Sequence, residues 1–378
     1  MTNRYEYEER HMATADGGTG TGAEGGAGTG GDGDGTRRTF AGELRDAVSA
    51  RAALLIIGVL ALTAAFIASY AGAFHSPKPR DVAFAVVAPP QASGQLVAKL
   101  DGMAGSPLDA RPAGSRAEAV RQLKDREIDG ALVYDPHGKQ DELLVAGGSG
   151  SALSDAVQKV LAKAEQTEGR TVRTTDVAPA DPQDARGLSS FYLVVGWCVG
   201  GYLCAAILAI SYGARPTNGR RAVIRLGTLL LYSVLAGLAG ALVIGPVLGA
   251  LPGSVVALWG LGALIVFAVG AATLAFQGIA GIVGIGLTIL VVVIGGNPSA
   301  GGAYPYPLLP PFWHAIGPAL PPGAGTWAAR SIAYFDGQAL TGPLLVLAAW
   351  AVVAAALTLL FAALSVGRGT VDRSETRQ

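Results

Sequence analysis

The sequence predicts a polytopic α-helical membrane protein with six transmembrane helices and one extracytoplasmic α/β domain between helices 1 and 2. Three observations predict it. From Leu226 to Ala329 there is no Asp, Glu, Lys or Arg, although 15% of the 378 residues are charged. About 20 apolar residues already span a bilayer as a helix, so this block must hold several crossings. Apart from Arg330 and Asp336, the charges are confined to residues 1–51, 75–187, 211–225 and the last eleven positions, which marks those segments as the ones in water. Finally, residues 75–187 alternate strand-like and helix-like patterns as a soluble domain does. With 51% hydrophobic residues, 54 glycines and a net charge of zero, the chain falls in the membrane class, and nucleic acid is not expected as a partner.

Residues 1–38 form a Gly/Thr/Asp tail without a large apolar residue between Gly17 and Arg38, so it is expected to be a disordered cytoplasmic tail. Gly20, Gly22 and Gly25 spell G-x-G-x-x-G, but no strand precedes them and no helix follows, so they are not a dinucleotide site. In residues 39–51 Phe40, Leu44 and Val48 share one face while Glu43, Arg45 and Asp46 take the other, which predicts an amphipathic interfacial helix. Residues 52–74 are the first transmembrane helix. Arg37, Arg38, Arg45 and Arg51 precede it, so the positive-inside rule puts the N-terminus in the cytoplasm and Lys78 outside. The run is too long, and begins too far from Met1, to be a cleaved signal peptide.

Within the domain at 75–187, strands are predicted at Asp81–Val87, Gly130–Tyr134, Glu142–Ala146 and Thr171–Val177. Ser115-Arg116-Ala117-Glu118 makes a capping box, and Leu153, Val157, Val160 and Leu161 make a one-sided helical stripe. The five-helix transmembrane domain covers 188–366, with spans at Phe191–Ile210, Gly227–Leu251, Val255–Leu274, Ile279–Ile294 and Pro343–Leu364. The uncharged run Val255–Gly295 would measure ~60 Å as one helix, twice the hydrocarbon core, so it must fold back. Phe276-Gln277-Gly278 is the expected turn, and Pro246 is expected to kink the third span. The loop 295–342 is rich in Pro and Gly and carries Tyr304, Tyr306, Phe312, Trp313, Trp327 and Tyr334, ring types that favour the headgroup layer. It is expected to lie in the outer interface. Residues 367–378 form a cytoplasmic tail, so both termini are cytoplasmic in a multi-pass protein of the cell membrane.

The chemistry-bearing motifs are few. None of the six expected spans contains a charged residue, which argues against an ion-coupled carrier, since such carriers bind or relay the ion on intramembrane ionisable groups. A carrier working through unwound backbone carbonyls stays open. The only Gly-Lys pair, Gly138-Lys139, is followed by Gln140 and lacks the leading glycine of G-x-x-x-x-G-K-[ST], so the chain does not hydrolyse ATP itself. A pump would need a separate cytoplasmic ATP-binding subunit. The surfaces available to it are Phe40, Leu44 and Val48, and the acid-free loop with Arg215, Arg220, Arg221 and Arg225. Gly196 with Gly200, Gly245 with Gly249, and Ala280 with Gly284 are spaced for close helix packing, within the chain or in a homo- or heterodimer. Cys198 and Cys204 lie in one span on different faces, and His314 is isolated in its loop, so no disulfide, metal, cofactor or enzymatic centre is expected.

The layout resembles the type-two ATP-binding-cassette exporter permeases, in particular the YhgE/Pip-like branch. At residue level the likeness rests on Asp81-Val82-Ala83-Phe84-Ala85-Val86-Val87, on Gly187-Leu188-Ser189-Ser190-Phe191-Tyr192, and on Leu320-Pro321-Pro322-Gly323 through Tyr334-Phe335-Asp336-Gly337. The resemblance implies a permease that dimerises and docks a cytoplasmic ATPase through the surface helix and the loop between spans two and three. The apolar spans, which lack polar pockets and have membrane lipid as a partner, point to export of an amphipathic or lipid-like compound. It also leaves open a non-transporting envelope protein whose outer domain acts as receptor or secretion accessory.

Overall fold

A computed structural model describes residues 50–214 and 218–375. The tail at 1–38, nearly all of the expected interfacial helix, and Arg215 lie outside the described residues. The chain divides into two compact units, Met1–Leu55 and Ile56–Gln378. Of the first only the opening of helix α1 (Ala50–Phe74) is described; the remaining elements lie in the second.

Among the described residues five stretches are long and apolar enough to cross a membrane: Ala52–Phe74, Ser189–Tyr212, Gly219–Val247, Val255–Ser299 and Thr341–Leu364. The surface agrees with the lengths. Ile56, Leu60 and Ile67 on α1, Ile207 and Ile210, Leu231 and Leu235, and Val352 and Leu360 are all exposed. In water each such side chain gives up ~1.5–3 kcal/mol relative to burial, a loss that a lipid environment removes. The chain is a polytopic helical membrane protein.

The α/β part begins directly after α1. Strands β1 (Val82–Val87), β2 (Leu108–Ala113), β3 (Gly130–Val133), β4 (Gln140–Val145) and β5 (Thr171–Asp176) form one mixed sheet in the order β2-β1-β3-β4-β5, antiparallel only between β3 and β4. The sequence predicts four of these strands; the fifth, β2, is Leu-Asp-Ala-Arg-Pro-Ala. Its Pro112 is tolerated because β2 is an edge strand, where a missing N–H breaks no inner ladder. Helices α2 (Pro90–Asp101) and α4 (Ser151–Gln166) contribute Leu100, Leu153, Val157 and Leu161 to the core on one face of the sheet. Helix α3 (Arg116–Lys124) covers the other with Ala119 and Leu123. The capping box forms: Ser115 Oγ accepts from Glu118 N at 3.1 Å. The reciprocal arm reaches one residue further back, Glu118 Oε2 accepting from Gly114 N at 2.9 Å.

The helical part is built on α7 (Val255–Ala280), which touches α5 (Ser189–Tyr212), α6 (Gly219–Leu242) and α12 (Thr341–Glu375). Side-chain caps start two of these helices: Asn218 Oδ1 accepts from Arg221 N at 2.9 Å and Ser254 Oγ from Ala257 N at 3.2 Å. Glycines set the packing distance. A Cβ on Gly201 of α5 would sit 2.6 Å from Val266 O, and one on Gly237 of α6 2.5 Å from Ala263 N, so backbone lies on backbone there. Of the glycines expected from spacing to set close packing, only Gly284 lies against backbone, at Phe276 and Gln277; nothing lies within 4 Å of a Cβ built on Gly196. Past Leu242, α6 widens into a π-turn at Val243–Val247 that contains Pro246, where the ring has no N–H to give.

The 45-residue stretch Val255–Ser299 is no straight rod. Gly281 has φ +62°, a left-handed value that ends α7, and helix α8 (Gly284–Thr288) starts back. Thr288 Oγ1 lies 3.2 Å from Thr273 Oγ1, whereas fifteen residues of helix would separate them by ~22 Å. The reversal is therefore three residues later than Phe276-Gln277-Gly278, which is still helical. Only glycine permits it, since a Cβ on Gly284 would come within 2.4 Å of Phe276 C and Gln277 N. The returning arm continues as a π-helix at Ile289–Gly296 and a last turn, α9, at Asn297–Ser299. It lies beside α1, where Ser69 Oγ donates to Ile294 O.

The segment after the returning arm, expected as an outer interfacial loop, packs in part on the sheet. Short α10 (Pro311–Ile316) and α11 (Pro321–Tyr334) turn much of it towards the α/β part. Leu308, 2% exposed, joins the core on the α2/α4 face of the sheet, and Phe335, also 2% exposed, joins the core on the α3 face.

Candidate functional site

Between the sheet and this returning segment lies a cavity of about 250 Å³, lined among others by Asp81, Arg126, Asp129, Tyr306, Trp327 and Arg330. Each wall has a local cause. Arg126 follows the last turn of α3 with φ +60°, in the position where a helix usually places glycine. Asp81 opens β1 with φ +45°. Left-handed backbone at a non-glycine residue costs roughly 1–3 kcal/mol and is found where a side chain is needed at that spot. Both residues line this cavity.

Arg126 lies flat on Trp327, 3.6 Å from the ring centroid, and 4.8 Å from that of Phe335. Its Nη1 donates to Trp327 O at 2.9 Å and to Ser331 Oγ at 2.7 Å. Arg330, 3% exposed, donates to the carbonyls of Gly301 (2.7 Å), Gly302 (2.9 Å) and Gly187 (3.0 Å). This one arginine therefore ties the returning segment to the start of α5. Tyr306 is stacked between His314 and Trp327, with centroids 6.2 and 5.9 Å away. Three polar atoms in the wall find no partner among the described residues: Arg126 Nε, Arg330 Nε and the Tyr306 hydroxyl.

Enclosure shifts the ionisation of these groups. Desolvation pushes Asp129 up to about 6 against the opposing pull of Arg126. Desolvation, with repulsion from Arg330, brings Arg126 down to about 9, and desolvation brings Arg330 down to about 10. The Tyr306 hydroxyl is raised by the same cause. No ion pair within 4 Å joins Asp129 to either arginine among the described residues, although Arg126 lies near enough to favour the ionised carboxylate.

A second feature is an open groove of about 710 Å³ between α5 and α6, lined by Tyr192, Gly196, Trp197, Gly200, Tyr232 and other apolar residues, without a charge. Trp197 forms its floor; the ring is 3% exposed and its Nε1 donates to Ala236 O at 3.2 Å. Tyr192, 62% exposed, stands at the rim.

The residues singled out from sequence fall in three places. Of the docking candidates, Phe40, Leu44, Val48 and Arg215 are outside the described residues. Arg220 and Arg221 are exposed at the start of α6, but Arg225 is 5% exposed and turned inward, donating to Tyr212 O at 2.9 Å and Gly213 O at 2.7 Å. It caps the end of α5 and is not free for a partner. Of the aromatic residues, Tyr306 and Trp327 line the cavity, and Tyr334 donates to Asp184 Oδ2 at 2.7 Å. Tyr304 packs on Phe74, and Phe312 with Trp313 forms an edge contact on α10, where Phe312 is 63% exposed. Of these six rings only Phe312 is exposed. Sequence reasoning missed Arg126, Asp129 and Asp81. Arg330 did carry a signal, as a lone cation in an otherwise uncharged stretch. Comparison with family models, curated proteins and solved structures finds no match to this chain.

Proposed function

We propose that this chain is the membrane-spanning permease subunit of an ATP-binding-cassette exporter, moving an amphipathic or lipid-like compound outward with a separate cytoplasmic ATPase. The observation that carries the reading is the uncharged groove between α5 and α6, walled by small and apolar residues with tyrosines as its polar points. Such a surface gives an acyl chain close contact and gives an ion nothing to bind. With no ion-relaying group in the spans and no phosphate-cradling loop in the sequence, the energy comes from another polypeptide.

Counted with the returning arm, the chain makes six crossings, so both termini lie on one side. That arm is short, ~24 Å of helix from Gly284 to Ser299, and its tight fold onto α7 suits a crossing that moves with its neighbour. Exposed Arg220 and Arg221 mark the cytoplasmic side, the α/β part marks the outer face, and the protein is one of the cell membrane. The ATPase meets the Arg220–Arg221 face, and the permease works as a homo- or heterodimer.

The test is affinity purification of the full chain from its own membrane in mild detergent. We expect an ATP-hydrolysing polypeptide to accompany it, and to be lost when Arg220→Glu and Arg221→Glu are combined. Recovery without ATPase activity under every mild extraction would overturn the exporter reading, leaving a non-transporting envelope protein.

A further inference from the structure

The junction cavity is separate from the lateral groove, and its chemistry is different. Two arginines and two aspartates line it, and Arg330, 3% exposed, keeps an Nε without a partner among the described residues. A simple anion would find Arg126 but be repelled by Asp129 and Asp81. A simple cation would meet the opposite conflict. Water alone fits the size, since about 250 Å³ is room for several molecules at ~30 Å³ each, but equally for a group of several heavy atoms. The arrangement left over is a molecule bearing both signs. An oxyanion suits the guanidinium fork, and an ammonium with N–H donors suits a carboxylate that has no donor of its own. Tyr306 lines the cavity with a hydroxyl that has no partner among the described residues, and Trp327 lies 3.6 Å from the guanidinium carbon of Arg126.

We propose that this cavity is a binding site for a small zwitterion, an oxyanion held by Arg126 and Arg330 and a primary ammonium held by Asp129, the pairing found in a phosphoethanolamine group. The group is presented either by a lipid headgroup or by a free solute.

The test uses the full chain, purified in detergent and stripped of lipid. Thermal stabilisation is titrated with O-phosphoethanolamine, phosphocholine, inorganic phosphate and ethylamine. O-phosphoethanolamine is expected to bind at least about tenfold more tightly than the other three, because only it satisfies both charges with N–H donors. Asp129→Asn is expected to remove the preference over phosphocholine, and Arg126→Gln to abolish binding. Tyr306→Phe keeps the ring stack and weakens binding several-fold, which serves if either charge variant fails to fold. Native mass spectrometry distinguishes the sources. A phosphatidylethanolamine adduct lost in Arg126→Gln indicates the lipid, and binding of the free compound with no such adduct indicates the solute. Phosphate binding as tightly as the zwitterion, no stabilisation by any of the four, or unchanged selectivity in Asp129→Asn would overturn the proposal.

Discussion

Arg225 and Arg220 are five residues apart on one helix and were indistinguishable as letters in a basic loop. The fold separates them. Arg225 satisfies carbonyls at the end of α5, where the helix leaves its last acceptors unpaired and where a cation also meets the negative end of the helix dipole. Arg220 is exposed. Removing the first takes a charged donor from those carbonyls and empties the space its buried side chain fills, so Arg225→Ala is expected to destabilise the detergent-solubilised protein by about 1.5–3 kcal/mol, read as a drop in melting temperature. Arg220→Ala should lie within ~0.5 kcal/mol of the parent. Equal effects of the two would refute the capping role. No local pattern distinguishes these arginines, because the deciding acceptors belong to the preceding helix. The same holds for Arg126, whose ring partner Trp327 is 201 positions away. What was legible at this scale was the isolation of Arg330 among uncharged neighbours.

Elements were far more legible than side-chain roles. Hydropathy is a one-dimensional signal, and the stretches long and apolar enough to cross a bilayer stand near the expected places. The failures have physical causes. Strand β2 carries Asp, Arg and Pro, which only its edge position tolerates. The hairpin turn came later than expected because Gly278 lacks a positive φ while Gly281 has one, and glycine spacing alone does not say which glycine bends. The consequence can be measured. Gly284→Val puts atoms into the backbone of Phe276 and Gln277 and is expected to cost ~3 kcal/mol or more, seen as loss of a monodisperse, cooperatively melting protein. Gly286→Ala, whose Cβ would meet only Leu62 Cδ1 at 3.9 Å, should melt like the parent. If both are tolerated, the arms do not pack as described.

Over the whole molecule, the question is which side each end faces. With Cys198 and Cys204 replaced by Ala, a maleimide that does not cross membranes should label Gln140→Cys in intact cells and spare Arg220→Cys until the membrane is opened. Both positions are exposed, and Arg220 is preferable to Asn218, whose side chain caps α6. The reverse labelling pattern would invert the orientation. The division of the chain read from sequence, a domain at 75–187 and then a membrane part, follows the order of residues but not the cores. Leu308 fills one side of the sheet and Phe335 the other, each arriving from far downstream. A secreted fragment cut to 75–187 would thus carry two empty sockets. It would stick to itself, and antibodies raised against it would recognise surfaces that the intact protein never shows.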